Sequence, residues 1–90
     1  MTNASQPKKV QVEIYNNTYN IKGNCDENHI RQVANYVDKK MNFIGQRNPH
    51  LSLKEIAVLT SINVADELFK LQNDYDKLVQ VLEEGKKGIK

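Results

Sequence analysis

The sequence predicts an α+β fold. It has an N-terminal β-hairpin packed on a short helix, then one long C-terminal helix that forms a coiled coil, the whole being an obligate oligomer. Three observations predict it. Val10, Val12 and Ile14 alternate with Gln11 and Glu13, the two-residue period of a half-buried strand. Ile30, Val33, Ala34, Val37, Met41 and Ile44 recur at the spacing of one helix face. Val64, Leu68, Leu71, Tyr75, Leu78 and Leu82 alternate four-residue and three-residue steps, which is the a/d signature of a coiled coil.

The hairpin comes first. Tyr15-Asn16-Asn17-Thr18 reads as a tight turn, because asparagine tolerates the positive φ that such turns require. A two-residue loop at Asn16-Asn17 pairs Ile14 with Tyr19 and Val12 with Ile21, so that all the apolar residues share one face. A lone hairpin is marginal in water and must pack on something. The first helix answers that need, with Asp26 as its N-cap after Gly23-Asn24 and Gly45 as its end. His29, Tyr36 and Phe43 add a flanking row at seven-residue intervals, which widens the apolar arc beyond what one hairpin covers. The excess predicts a second contact, with the other helix or with another subunit. Gln46 to His50 is a loop containing Pro49.

The second helix starts at a full set of signals. Ser52-Leu53-Lys54-Glu55 is a capping box, with Leu51 and Ile56 where a hydrophobic staple belongs. Up to Phe69 apolar residues surround much of the helix, and beyond it they thin to the seam. About 32 residues of helix would reach on the order of 48 Å. That exceeds a domain this small, so the end protrudes and its seam needs a partner. The expected division is a polar tail (1–9), a head (10–69, with hairpin 10–22, first helix 27–44 and the start of the second helix 53–69), a coiled-coil rod (70–84) and a basic tail (85–90). The head is expected to be built around Ile14, Tyr19, Val37 and Ile62.

Composition narrows the function. Ninety residues allow one domain, and a chain this small gains most cheaply by associating with copies of itself. Cys25 is the one cysteine and reads as a bystander thiol. Thr2 to Lys9 is polar, so no secretory leader is expected, and no apolar run approaches the roughly 20 residues of a membrane span. The net charge of +2 hides an acidic body, since Lys8, Lys9, Lys86, Lys87 and Lys90 lie in the tails. Val10 to Glu84 holds eight basic residues against eleven acids. That argues against a small homodimeric nucleic-acid binder, the alternative reading, which would show a basic stripe on its folded face.

Catalytic and metal chemistry find little to stand on. His29 reads as a packing residue and His50 as a loop residue, neither with a second ligand at helical or hairpin spacing. Asp66 and Glu67 read as a solvated face, with Asp66 paired to Lys70. No metal, cofactor or small-molecule substrate is expected. Thr60, Asn63 and Glu67 form a polar row beside the apolar face of the second helix. It is either a part-solvated boundary, or Asn63 holds a buried hydrogen bond that sets how subunits pair.

Four stretches resemble the ZapA family of cell division proteins, partners of the tubulin-like FtsZ. They are the hairpin Val10-x-Val12-x-Ile14 with Tyr19-x-Ile21, the helical stretch Val33-Ala34-Asn35-Tyr36-Val37-Asp38-Lys39-Lys40-Met41, the connection Asn48-Pro49-His50-Leu51, and Ile56-Ala57-Val58-Leu59-Thr60-Ser61-Ile62-Asn63-Val64-Ala65-Asp66-Glu67-Leu68. The resemblance runs from Val10 to Leu82 and is to the shorter members found in Gram-positive bacteria. It departs at the hairpin turn, where many members have glycine and this chain has Asn16-Asn17.

The resemblance implies a non-enzymatic cytoplasmic scaffold at the mid-cell septum. Such a protein dimerises through its head, associates further through its helices, and bundles FtsZ filaments to stabilise the division ring. Self-association would use Tyr36, Val37, Met41, Ile62, Asn63, Leu68, Leu71, Tyr75, Leu78 and Leu82. FtsZ proteins are acidic as a class, so the implied contacts are the basic head residues Lys39 and Arg47 first, then Lys22, Arg31 and Lys40. Dimer against tetramer, and parallel against antiparallel helices, stay open at this level.

Overall fold

The computed structural model describes the backbone of residues 8–24 and 26–88 and the side chains of 9–24 and 26–85. The Cys25 reading, the tail before Lys8 and the basic side chains of the C-terminal tail lie outside these residues. The element order is β1 (Lys8–Ile14), β2 (Asn17–Gly23), α1 (Glu27–Arg47) and α2 (Leu53–Gly88). The hairpin and two helices expected from the pattern are therefore present in that order. The chain divides into two compact units, Met1–Thr60 and Ser61–Lys90.

The hairpin corrects the expected register. β1 and β2 pair antiparallel with Val12 opposite Tyr19, Val10 opposite Ile21 and Ile14 opposite Asn17. The turn residues are Tyr15 and Asn16, at φ 50° and 66°, rather than Asn16-Asn17. Positive φ at both central positions is the turn whose twist suits a hairpin. Moving the turn by one residue moves the register by two, so the apolar face is preserved and the sequence pattern alone does not distinguish the two pairings. Contacts made by the turn select the observed one. The Tyr15 backbone N–H donates to Asp38 Oδ1 at 2.7 Å, and the Asn17 side-chain amide donates to the Tyr15 carbonyl at 2.9 Å. The Asn42 amide holds Asp38 from the next helical turn, donating to its backbone carbonyl at 2.8 Å and to Oδ1 at 3.2 Å.

The first unit has its core where α1 lies on β1. Val10, Val12, Ile30 and Ala34 are buried together, with Ile14 and Ile21 packed against them, and Val10 is only 2% exposed. Burying a valine or isoleucine such as Val10, Val12 or Ile30 contributes on the order of 1.5–3 kcal/mol. Met41, Ile56, Gly45 and the hydroxyl-bearing Thr60 are also buried in this unit. Of the expected centre of the head, Ile14 does pack on this core, while the placing of Tyr19 and Ile62 is corrected for the single chain. Tyr19 is exposed, Ile14 and Val37 are half-buried, and Ile62 is 61% exposed. The hairpin packs on Ile30 and Ala34 of α1, while Val33, Tyr36 and Phe43 of that wide apolar arc stay exposed in a single chain.

α1 also runs past its expected end. Gly45 sits inside the helix, buried, and the helix stops at Arg47. Glycine serves there for lack of a side chain: a Cβ at Gly45 would overlap the Tyr15 hydroxyl and lie 3.0–3.1 Å from Tyr15 Cζ and Cε1. The stop is set by Asn48-Pro49, since proline pushes the residue before it out of the helical region. Asn48 takes φ −134° and ψ 65°, and both its backbone N–H and its side-chain amide donate to the Ile44 carbonyl. Asp26 stands at the N-cap as expected, but its side chain makes no capping hydrogen bond.

The start of α2 matches its signals. The Ser52 N–H donates to Glu55 Oε1 at 2.9 Å and the Glu55 N–H donates to Ser52 Oγ at 3.2 Å, the reciprocal capping box. The Thr60 hydroxyl donates back to the Ile56 carbonyl at 2.8 Å, which lets a polar side chain be buried at 3% exposure. α2 continues through Gly85 to Gly88, beyond the expected change to a tail at residue 85. Lys70 and Asp66 form the expected pair at 3.0 Å.

Candidate functional site

Among the described residues no group of three acidic, histidine or cysteine side chains is placed to hold a metal ion. Between β1 and α1 lies a polar depression of about 430 Å³, lined by Gln11, Glu13, Thr18, Arg31 and Asn35 over Val12 and Ala34. Sequence spacing did not reveal it, because its walls come from three elements. Its one cation is already engaged. Arg31 makes an ion pair with Glu27 at 2.9 Å and donates through Nη1 to the Gln11 carbonyl at 3.2 Å. The pair is half-exposed and worth roughly 0.3–0.5 kcal/mol, and it is the bond to Gln11 that ties α1 to the outer edge of β1.

The larger feature is exposed apolar surface on both helices. On α1, Val33, Tyr36 and Phe43 are about half exposed, while Met41 of the expected association set is buried within its own chain. On α2 the seam residues Leu68, Leu71, Tyr75, Leu78 and Leu82 all face solvent, Leu71 at 68%. Val64, at the head of that seam, is half-buried. Leu53, Val58, Leu59, Ile62 and Phe69 are exposed too, so apolar residues outside the seam also lack cover in one chain. Asn63 is exposed and engaged in an interaction, and Glu67 is half-buried. A monomer rarely leaves so much contiguous apolar surface wet.

The five basic residues singled out from the sequence fall into three environments. Arg31 is spent on the hairpin as described. Lys40 lies over the Tyr36 ring at 5.4 Å and Arg47 over the Phe43 ring at 4.3 Å, two cation–π pairs four residues apart on α1. Lys39 and Lys22 are exposed. The Tyr36–Lys40 and Phe43–Arg47 spacings were visible in the sequence as aromatic and cation at one-turn separation. The Tyr15–Asp38 and Tyr15–Gly45 contacts span 23 and 30 positions and leave no local signal.

A hairpin packed on a helix, followed by a long second helix, defines a small α+β protein whose exposed large apolar side chains lie mostly on its helices. The family model described as Cell division protein ZapA matches residues 10–90. The chain belongs to the ZapA family of cell division proteins. A Cell division protein ZapA from Geobacillus sp. (strain WCH70) is 43% identical over 81 residues, spanning 90% of this chain and 93% of the relative. That of Geobacillus thermodenitrificans (strain NG80-2) is 44% identical over 84 residues, 92% of each chain. Among solved structures, a ZapA mutant dimer from Geobacillus stearothermophilus superposes with a TM-score of 0.69 at 35% identity, covering 92% of this chain and 96% of the other. No helix among the described residues is long and apolar enough to cross a membrane.

Proposed function

We propose that the chain is a non-enzymatic scaffold of cell division, acting in the cytoplasm at the mid-cell septum. As a homo-oligomer it binds FtsZ filaments, cross-links them and stabilises the division ring. The observation that carries the reading is the exposed apolar surface of α1 and α2, on a chain that belongs to a cell division family. Burying that surface takes other copies of the chain, and the relative from Geobacillus stearothermophilus is described as a dimer. In this reading Tyr36, Val37, Ile62 and Asn63 serve the head contact. Leu68, Leu71, Tyr75, Leu78 and Leu82 form a coiled-coil seam. Residues 10–69 and 70–84 act as head and rod.

Bridging follows from having two or more heads in one assembly. Two weak filament contacts joined through one body bind far better than either alone. The filament contact falls to basic residues of the head, Lys39 and Arg47 first, with Lys22 and Lys40 beside them. Lys39 is exposed, and Arg47 is held in place by the Phe43 ring, so its charge is pre-ordered for an acidic partner. The nucleic-acid reading takes nothing from the relatives above.

Co-sedimentation with purified FtsZ under assembling nucleotide, run beside light scattering of the protein alone, tests the proposal. The expected result is an oligomer that moves FtsZ into the pellet and raises its scattering. An oligomer that leaves FtsZ sedimentation and scattering unchanged would overturn it.

A further inference from the structure

We propose that the outer edge of β2 is a docking edge for an extended acidic segment of a partner protein, which adds as a third strand with a carboxylate opposite Lys22. The ladder defines the edge. A two-residue turn closed by Ile14 and Asn17 makes Ile14/Asn17, Val12/Tyr19 and Val10/Ile21 the pairs that exchange hydrogen bonds. The backbone N–H and C=O groups of Thr18, Asn20 and Lys22 therefore point away from β1. No hydrogen bond to them is found among the described residues, and Asn17 to Asn20 are all exposed. The opposite edge is not equivalent, because Arg31 already occupies the Gln11 carbonyl on β1. A seven-residue strand with no proline and open edge groups is a template for strand addition.

Charge selects the occupant. The register sets Lys9 directly opposite Lys22, both exposed, in a pair that exchanges no hydrogen bonds and so brings the side chains close. Like charges directly opposite destabilise a hairpin, and nothing acidic stands across from either in the ladder. A strand added beside β2 would place one side chain opposite Lys22 on this same face, and a glutamate or aspartate there relieves the repulsion. Its alternate residues would lie beside Tyr19 and Ile21 on the other face, where Tyr19 is partly exposed, so apolar residues fit there. A second copy of β2 suits the edge less well, since it brings another Lys9–Lys22 pair.

The probe is a fluorescein-labelled octapeptide of alternating valine and glutamate, measured by anisotropy against the full-length protein at low and moderate salt. Amide exchange is read by NMR. The peptide is expected to bind in a salt-sensitive way and to slow exchange at the Thr18, Asn20 and Lys22 amides. Lys22→Glu should weaken it about fivefold, an exposed ion pair's worth. Asn20→Pro deletes one outward donor without touching the ladder and should weaken it by a similar factor. A peptide N-methylated at alternate amides, or carrying lysine for glutamate, should not bind. Absence of binding at millimolar peptide, equal binding of the N-methylated peptide, no effect of Lys22→Glu, or protection appearing away from β2 would each overturn the proposal. Should Asn20→Pro fail to fold, Lys22→Glu and the N-methylated peptide decide the matter.

Discussion

Replacing Gly45 by alanine sets two effects of opposite sign against each other. In a helix interior the change from glycine to alanine is worth about 1 kcal/mol of stabilisation, because glycine loses more backbone freedom on folding. At Gly45 the new methyl would overlap the Tyr15 hydroxyl and crowd Cζ at 3.0 Å and Cε1 at 3.1 Å. The hydroxyl alone could swing aside, but ring carbons at that range oblige the whole ring to move. The ring has little room to do so, because the Tyr15 backbone is fixed at φ 50° with its N–H on Asp38. Overpacking of this kind costs about 1–3 kcal/mol. The net expectation for Gly45→Ala is a loss of about 0–2 kcal/mol. With Tyr15→Ala already in place the overlap vanishes, and the same Gly45→Ala change should stabilise by about 1 kcal/mol. The measurement is a double-mutant cycle by urea unfolding, at one fixed protein concentration because association contributes to stability. A coupling of about 1–3 kcal/mol between the two positions is expected. If Gly45→Ala stabilises equally in both backgrounds, the ring does not rest on Gly45 and the account of the turn's register loses its support.

Ser52→Ala removes one half of the capping box and should cost about 0.5–2 kcal/mol in unfolding free energy, with Ser52→Asp recovering most of it. Replacing Leu71 and Leu78 together by asparagine should reduce higher assembly in sedimentation experiments, at about 2–5 kcal/mol per leucine lost from a packed seam, and leave helix and strand content by circular dichroism near wild type. Unchanged association would remove the seam as an interface. Asp38→Ala strands the Tyr15 N–H and should destabilise by about 1–3 kcal/mol, with faster amide exchange at the hairpin turn. Lys39→Glu with Arg47→Glu should weaken FtsZ bundling at moderate salt while thermal stability and oligomeric state stay near wild type. Full bundling by that double mutant would place the contact elsewhere on the head.

The local chemistry that was legible has its stabilising partner within a helical turn. The Ser52–Glu55 box, the Asp66–Lys70 pair and the four-three seam are all short-range patterns, and the element order followed from them. The turn was not legible, because Asn16-Asn17 is the better left-handed pair by residue type. The choice of Tyr15-Asn16 is made by Asp38 and Gly45 on another element. Gly45 misled for the same reason. Locally it marks a helix end, while in the fold it is a seat for a ring from the hairpin. The seam residues could be read from spacing, and in the single chain those from Leu68 on are exposed, as a seam that needs a partner would be. The basic residues were legible as charges, and their partners only in part. The hold of Arg31 on the Gln11 carbonyl spans 20 positions and no spacing rule encodes it, whereas its pair with Glu27 and the stacking of Arg47 on Phe43 each lie one helical turn apart.

Among the described residues no large side chain falls below 2% exposure, the tightest being Val10 and Ile56 at 2%. A core that thin leaves the folded fraction to be completed by association, and association depends on how many copies are present. By mass action a lower concentration of copies leaves a larger open fraction, the form on which proteases act. As copy number rises, mass action closes the surface and lifetimes lengthen. The expectation from such sparse packing is a chain whose half-life, read by pulse-chase, rises with its own expression level.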